Sequence, residues 1–85
     1  MTEYVSELTK IKWRCRRGML ELDIFLLPFC ENIYSSLNLE EKNIFIDLLN
    51  ENDVDLFEWL MNRCQSDKSQ FNHLIQLIRA HRLGQ

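Results

Sequence analysis

The sequence is poor in the residues that make tight turns. Its 85 residues include two glycines and one proline, whereas sandwiches and barrels of short strands need a turn at every chain reversal. We therefore exclude an all-β fold.

The sequence also lacks a long hydrophobic run. A membrane span needs about 20 consecutive apolar residues, but the longest apolar run, residues 24–30, has seven and contains Pro28. With no basic-then-apolar signal at the N-terminus, we expect a cytoplasmic protein without membrane insertion.

The cysteines do not form a recognisable metal or haem motif. Cys15, Cys30 and Cys64 are spaced 15 and 34 residues apart, so no C-x-x-C pair exists. We expect reduced thiols that pack mostly as small hydrophobic groups. A reactive thiol at Cys15 is the alternative, because neighbouring arginines would lower its pKa.

The net charge of −3 conceals a strongly uneven distribution. Residues 1–17 hold five basic and two acidic side chains, whereas residues 18–58 hold ten acids and a single lysine. Residues 59–85 are again basic, with four cations and one acid. A basic patch beside an acidic middle favours a partner of complementary charge. Because the whole chain is acidic, nucleic-acid binding through this patch is the less favoured interpretation.

Apolar residues recur at helical spacing throughout, which predicts one all-α domain over residues 1–85, a compact bundle of about five short helices. The second segment is apolar nearly all round, so we expect it to be the central helix. The side chains predicted to face inward are Tyr4, Leu8, Ile11 and Cys15; Leu20, Ile24, Leu27 and Ile33; Leu39, Ile44, Phe45, Leu48 and Leu49; Leu56, Phe57, Leu60, Met61 and Cys64; and Phe71, Leu74, Ile75 and Ile78.

Several positions carry helix-boundary signals. Gly18 is expected in the left-handed conformation that ends the first helix, and Pro28 is expected to kink or split the second. Asn38 with Glu41 resembles a capping box. The remaining predicted N-caps are Asp53 for the fourth helix and Ser66 or Asp67 for the last.

The sequence offers little material for catalysis. His73 and His81 are eight residues apart, which separates them by about 12 Å along a helix and prevents a shared metal. No glycine-rich phosphate loop exists, so we expect no tightly bound cofactor. We predict a protein that is not an enzyme and has no catalytic residue and no metal ligand.

One short stretch, residues 13–23, carries most of the functional information. Trp13 lies about 200° around the helix from Ile11, so it faces solvent beside arginines if Ile11 faces the core. The alternative is that Trp13 folds back onto the second helix. Arg17 and Glu21, four residues apart, are spaced for a helical ion pair, and Gly18 between them would also let a partner approach closely.

These residues resemble a known family. Arg17-Gly18-Met19-Leu20-Glu21 fits the R-G-x-x-E signature of the succinate dehydrogenase flavinylation factors, the SdhE family of bacterial FAD assembly factors and their mitochondrial relatives. The resemblance spans residues 13–62. It includes in order the segments Trp13–Ile24, Pro28-Phe29, Tyr34–Leu37, Glu41–Phe45, Leu48-Leu49 and Asp55–Asn62.

The resemblance implies a small helical chaperone that assists covalent FAD attachment to the flavoprotein subunit of succinate dehydrogenase, and of fumarate reductase. It implies that FAD belongs to the client protein. Separately, we expect a monomer rather than an obligate oligomer. Arg17 would offer its guanidinium to the client, and Glu21 would either hold the rotamer of Arg17 or meet a cation of the client. An antitoxin-like or other interaction module is the alternative. The expected partner-binding residues are Trp13, Arg14, Arg17, Gly18, Glu21 and Asp23.

Overall fold

The computed structural model describes residues 7–82 of the chain. Within that range it contains helices and no strand, which confirms the all-α prediction. The predicted inward residue Tyr4 lies outside the described residues. The helices are α1 (Glu7–Cys15), α2 (Leu20–Asn32), α3 (Leu39–Leu48), α4 (Asp53–Leu60) and α5 (Ser69–Arg82), with a 3-10 turn at Tyr34–Ser36 between α2 and α3.

Helix α2 is the central element, as its composition predicts. It contacts α1, α4, α5 and the 3-10 turn. The ring of Phe29 lies 5.5 Å from that of Phe45 in α3, and Tyr34 packs against Phe45 at 5.7 Å. A continuous core of aromatic and aliphatic side chains therefore surrounds α2.

The predicted inward face of α2 is wrong. Leu20 and Ile24 are exposed, and Leu27 and Ile33 are only half-buried. Because α2 is apolar on nearly every side, hydrophobic periodicity could not select the buried face. The residues that the core does bury are Leu22, Leu26, Phe29 and Cys30. Pro28 does not split the helix, which runs unbroken to Asn32.

Three other predicted core positions are also exposed. Leu39, the first residue of α3, lies about 240° around the helix from buried Phe45, and therefore off the buried stripe. Met61 and Cys64 follow the end of α4 and leave its inward face. The prediction for α5 is confirmed, since Phe71, Leu74, Ile75 and Ile78 are all buried.

Two of the three cysteines pack in the core, as predicted. Cys15 and Cys30 are fully buried free thiols, and Cys64 is exposed. Burial raises the pKa of the Cys15 thiol well above its ordinary value, outweighing the opposite effect of Arg17 and Arg14. Burial likewise raises the pKa of Cys30. The structure therefore disfavours a reactive thiolate at Cys15.

The capping box at the start of α3 is confirmed. The Asn38 side chain accepts a hydrogen bond from the Glu41 amide at 2.7 Å, and the Asn38 amide donates to the Glu41 carboxylate at 3.1 Å. At α4 the predicted cap is off by one residue. The cap is Asn52, whose side chain accepts from the Asp55 amide at 2.8 Å, and Asp53 is the first helical residue.

The predicted caps of α5 are wrong as well. The helix begins at Ser69, and the Ser66 hydroxyl instead accepts from the Lys68 amide at 3.0 Å in the preceding connection. Ser66 is buried, and its own amide and carbonyl bond the side chain of Asn72. Ser66 therefore fixes the connection against α5 rather than capping the helix.

The capping box predicts a measurable loss of stability on substitution. We expect Asn38→Ala to lower the free energy of unfolding by about 1 kcal/mol, because the Glu41 amide loses its acceptor, the Asn38 side chain. Asn43→Ala is the matched control, since Asn43 lies exposed within the same helix. Urea denaturation of both variants checks this, and equal destabilisation by the two would contradict it.

Candidate functional site

The connection between α1 and α2, residues 16–19, contains the glycine of the R-G-x-x-E motif. Gly18 has a φ of +80°, in the left-handed region where residues with a Cβ are disfavoured. Helix α1 ends at Cys15, so Gly18 redirects the chain within the connection instead of directly capping the helix. Gly18 is exposed, and a Cβ built there would have no atom beyond its chain neighbours within 4 Å. A substitution at Gly18 would therefore strain the backbone, but its side chain would meet no steric obstacle.

The side chain of Arg17 points inward, away from this open space. Only 15% of it is exposed. Its Nε donates to the Asp53 carboxylate at 2.8 Å, and Nη2 donates to the Glu51 carbonyl at 2.7 Å. Its Nη1 donates to the carbonyls of Leu49 at 2.7 Å and Arg14 at 3.3 Å. One guanidinium thus joins the end of α1 to the α3–α4 connection, residues 49–52.

The electrostatics of both helix ends favour this arrangement. Leu49 is the C-cap of α3, where the unpaired carbonyls carry partial negative charge and attract a cation. Asp53 begins α4, where a carboxylate is favoured by the partial positive charge of the helix N-terminus. Arg17 therefore lies between two groups that favour its charge.

Two further contacts fix the backbone around Arg17. The Arg17 amide donates to the Asp23 carboxylate in the first turn of α2 at 3.0 Å. The Arg14 guanidinium donates to the side-chain oxygen of Asn50 in the α3–α4 connection. The structure thus assembles Arg14, Arg17 and Asp23, three predicted site residues, into the internal framework of the turn.

The expected bond between Arg17 and Glu21 is not the one that forms. Arg17 pairs with Asp53 instead, and Glu21 is exposed, with no hydrogen bond or ion pair to the described part of the chain. Sequence analysis missed the role of Asp53 because it lies 36 residues from Arg17. Its only sequence signal was its place at a helix start, which predicted a cap.

The exposed residues of this region form what we call the turn face: Trp13, Arg16, Gly18, Leu20 and Glu21. The Trp13 side chain is 69% exposed, which decides between the two alternatives for this residue in favour of solvent. Leu20 is also 69% exposed. Bulky apolar side chains beside charged ones at such exposure are typical of protein-binding surfaces.

A shallow groove of about 270 Å³ adjoins the turn face at Glu21. Ile24, Phe25, Met61 and Arg82 form the rest of its lining. The groove brings the ends of α4 and α5 next to the R-G-x-x-E motif. The exposed surface around the motif is therefore partly apolar and extends beyond residues 13–23.

The described residues show no arrangement suited to metal chemistry. Within residues 7–82, no group of three or more His, Cys, Asp or Glu side chains could hold a metal ion. The His73 imidazole lies 3.3 Å from the Glu41 carboxylate, and that of His81 lies 3.2 Å from the Asn32 amide.

Among the helices described over residues 7–82, none has the length and apolar character that a membrane span requires. The fold is that of a small all-α domain that exposes charged and bulky apolar side chains on its turn face.

The chain belongs to the family described as flavinator of succinate dehydrogenase, which matches residues 9–82. It is 42% identical over 79 residues to the FAD assembly factor SdhE of Vibrio parahaemolyticus, covering 93% of this chain and 92% of that protein. The protein of the same name from Yersinia pestis is 45% identical over 76 residues, covering 89% and 86%. That of Pseudomonas putida is 37% identical over 73 residues, covering 86% and 87%.

The family match confirms the resemblance and extends it. It reaches residue 82 and so includes α5, whereas the resemblance seen in the sequence stopped at residue 62. It also places the chain among assembly factors rather than enzymes, as predicted.

The backbone of Gly18 predicts a graded response to substitution. We expect Gly18→Ala to lower the free energy of unfolding by about 1 kcal/mol, because a Cβ is disfavoured at positive φ. Gly18→Asn should cost less, since asparagine tolerates this region better than alanine. Urea denaturation followed by circular dichroism checks both variants. Unchanged stability in Gly18→Ala would show that the left-handed conformation is not required.

Proposed function

We propose that this protein binds the flavoprotein subunit of succinate dehydrogenase and promotes the covalent attachment of FAD to it. The main observation in support is the turn face. It exposes Gly18 and Glu21 of the R-G-x-x-E motif, while Arg17 of the same motif points inward and hydrogen-bonds residues 49–53. The family description and the printed names of the relatives support this proposal.

The proposed mechanism requires no catalytic group from this chain. Covalent attachment needs the client to hold the flavin close to the side chain that it will join, and to stabilise the charge that develops on the flavin ring. A small rigid domain that binds one client conformation raises the population of that conformation by its differential affinity. The chemistry then takes place within the client.

The residues of the region divide into two groups in this proposal. Gly18 permits close approach of the client, Glu21 offers a carboxylate that is not engaged by the described residues, and Trp13 supplies a large apolar contact. Arg14, Arg17 and Asp23 hold the turn in place. Arg17 thus contributes to partner binding through its intramolecular contacts, in place of the direct contact expected from the sequence.

We propose five finer properties together with this function. The protein also serves the related fumarate reductase subunit, and it acts as a monomer in the bacterial cytoplasm. FAD stays with the client, because the sequence has no phosphate-cradling loop. The acidic total charge disfavours nucleic acid as a partner.

The proposal is tested by in-gel flavin fluorescence of a succinate dehydrogenase flavoprotein subunit. The subunit is co-expressed in a strain without its own flavinylation factor, with no added factor, this protein, Gly18→Arg or Gly18→Ala. We expect the wild type to raise covalent flavin and Gly18→Arg to return it to the level without factor. The long side chain would cover the turn face, since open space surrounds the Cβ position.

Gly18→Ala is the matched control because it imposes the same backbone strain without the bulk. It should retain most of the wild-type fluorescence. Circular dichroism of both purified variants verifies that each remains helical. Equal fluorescence in all four lanes would overturn the proposed function, and global unfolding of Gly18→Arg would show that Gly18 is required for folding instead.

A further inference from the structure

We infer that Asp53, which lies outside the R-G-x-x-E motif, is a positioning residue for partner binding that acts through Arg17. This inference rests on the proposed function. Its basis is that residues 49–53 provide three of the four contacts to the Arg17 guanidinium, although they lie more than 30 residues from Arg17 in sequence.

Three acceptors from residues 49–53 surround the Arg17 guanidinium, and we call them the socket. The carbonyls of Leu49 and Glu51 each accept one hydrogen bond at 2.7 Å, and the Asp53 carboxylate accepts the third at 2.8 Å. A planar guanidinium can satisfy three acceptors at fixed angles at once, whereas a lysine ammonium cannot reproduce that geometry. The socket therefore fixes the orientation of the Arg17 side chain and, with it, the backbone that leads into Gly18.

Asp53 makes the one contact in the socket that carries a full opposite charge. Within residues 7–82, no other carboxylate lies within 4 Å of the Arg17 guanidinium. A largely buried cation is costly unless it is paired, and backbone carbonyls supply only partial charges. Without the Asp53 carboxylate, the conformations in which the Arg17 guanidinium is exposed to solvent therefore become more favourable.

The effect on the turn should exceed the effect on global stability. The Asp53 side chain is 39% exposed, and partly exposed ion pairs contribute little to the free energy of unfolding. The other side-chain hydrogen bonds at the turn are two: the Arg17 amide to Asp23, and Arg14 to Asn50. The Arg16 amide also donates to the Trp13 carbonyl at 3.3 Å, and Met19 packs partly against the core. Loss of Asp53 should loosen residues 16–19 while the helices stay folded, and a client would then have to order the turn on binding.

The test compares the affinities of Asp53→Ala and Asp55→Ala for the purified flavoprotein subunit by biolayer interferometry. Both substitutions remove one negative charge from the first turn of α4, but Asp55 contacts Asn52 and not Arg17. We expect Asp53→Ala to weaken binding about tenfold, equivalent to the loss of one well-placed contact, and Asp55→Ala to bind like the wild type. Asp53→Asn, which keeps an oxygen acceptor, should fall between wild type and Asp53→Ala.

A second readout separates this inference from the proposed function. In free wild-type protein, the Arg17 Nε–H proton should exchange slowly with water by NMR, and the Gly18 amide should be rigid. Both properties should be lost in Asp53→Ala and kept in Asp55→Ala, whether or not the client binds. Wild-type protein that fails to bind the flavoprotein would overturn the proposed function. Equal affinity of the two alanine variants, or an unchanged Arg17 signal in Asp53→Ala, would overturn the role of Asp53.

Discussion

The interaction on which the turn face depends is that of the inward-facing Arg17 guanidinium with the acceptors around it. It joins the end of α1 to the connection between α3 and α4 through hydrogen bonds with Arg14, Leu49, Glu51 and Asp53. Helix caps and the hydrophobic core determine where the five helices lie. Residues 16–19 are held in addition by this largely buried cation and its acceptors, together with the bonds of the Arg17 amide to Asp23 and of Arg14 to Asn50.

This arrangement gives the residues of the R-G-x-x-E motif different physical roles. The arginine binds inward and the glycine adopts a positive φ on the outside. The glutamate stays exposed at the start of α2, next to the groove between α2 and the ends of α4 and α5. A motif that looks like one contiguous contact in the sequence is thus a framework residue followed by two surface residues.

Much of the fold was predictable because its determinants are local. The capping box of Asn38 and Glu41 spans three residues, and the buried stripe of α5 follows one helical period. The face of α2 was not predictable, since an element that is apolar on nearly every side carries no amphipathic signal and its neighbours decide which side is buried. For the same reason Leu20 was assigned to the core although it lies on the turn face.

The candidate site also combines features that local sequence predicts with features that only tertiary contacts determine. The left-handed conformation of Gly18 was predictable from the sequence because it is a local feature, whereas the exposure of Trp13 was one of two alternatives that only the structure decides. The pairing of Arg17 with Asp53 was missed because local spacing offered Glu21 as a partner, and the competing carboxylate comes from a distant segment. Tertiary contacts of this kind have no signature in a single sequence.

In the proposed function, the turn face binds the flavoprotein while Arg17 stays in its socket. The most direct measurement is an NMR titration of the isotope-labelled protein with the unlabelled flavoprotein subunit. We expect the largest changes at the Trp13 indole and the amides of Gly18 and Glu21, with the Arg17 Nε–H signal protected both before and after binding. Changes centred instead on α3, around Glu40 and Asp47, or an Arg17 side chain released on binding, would contradict it.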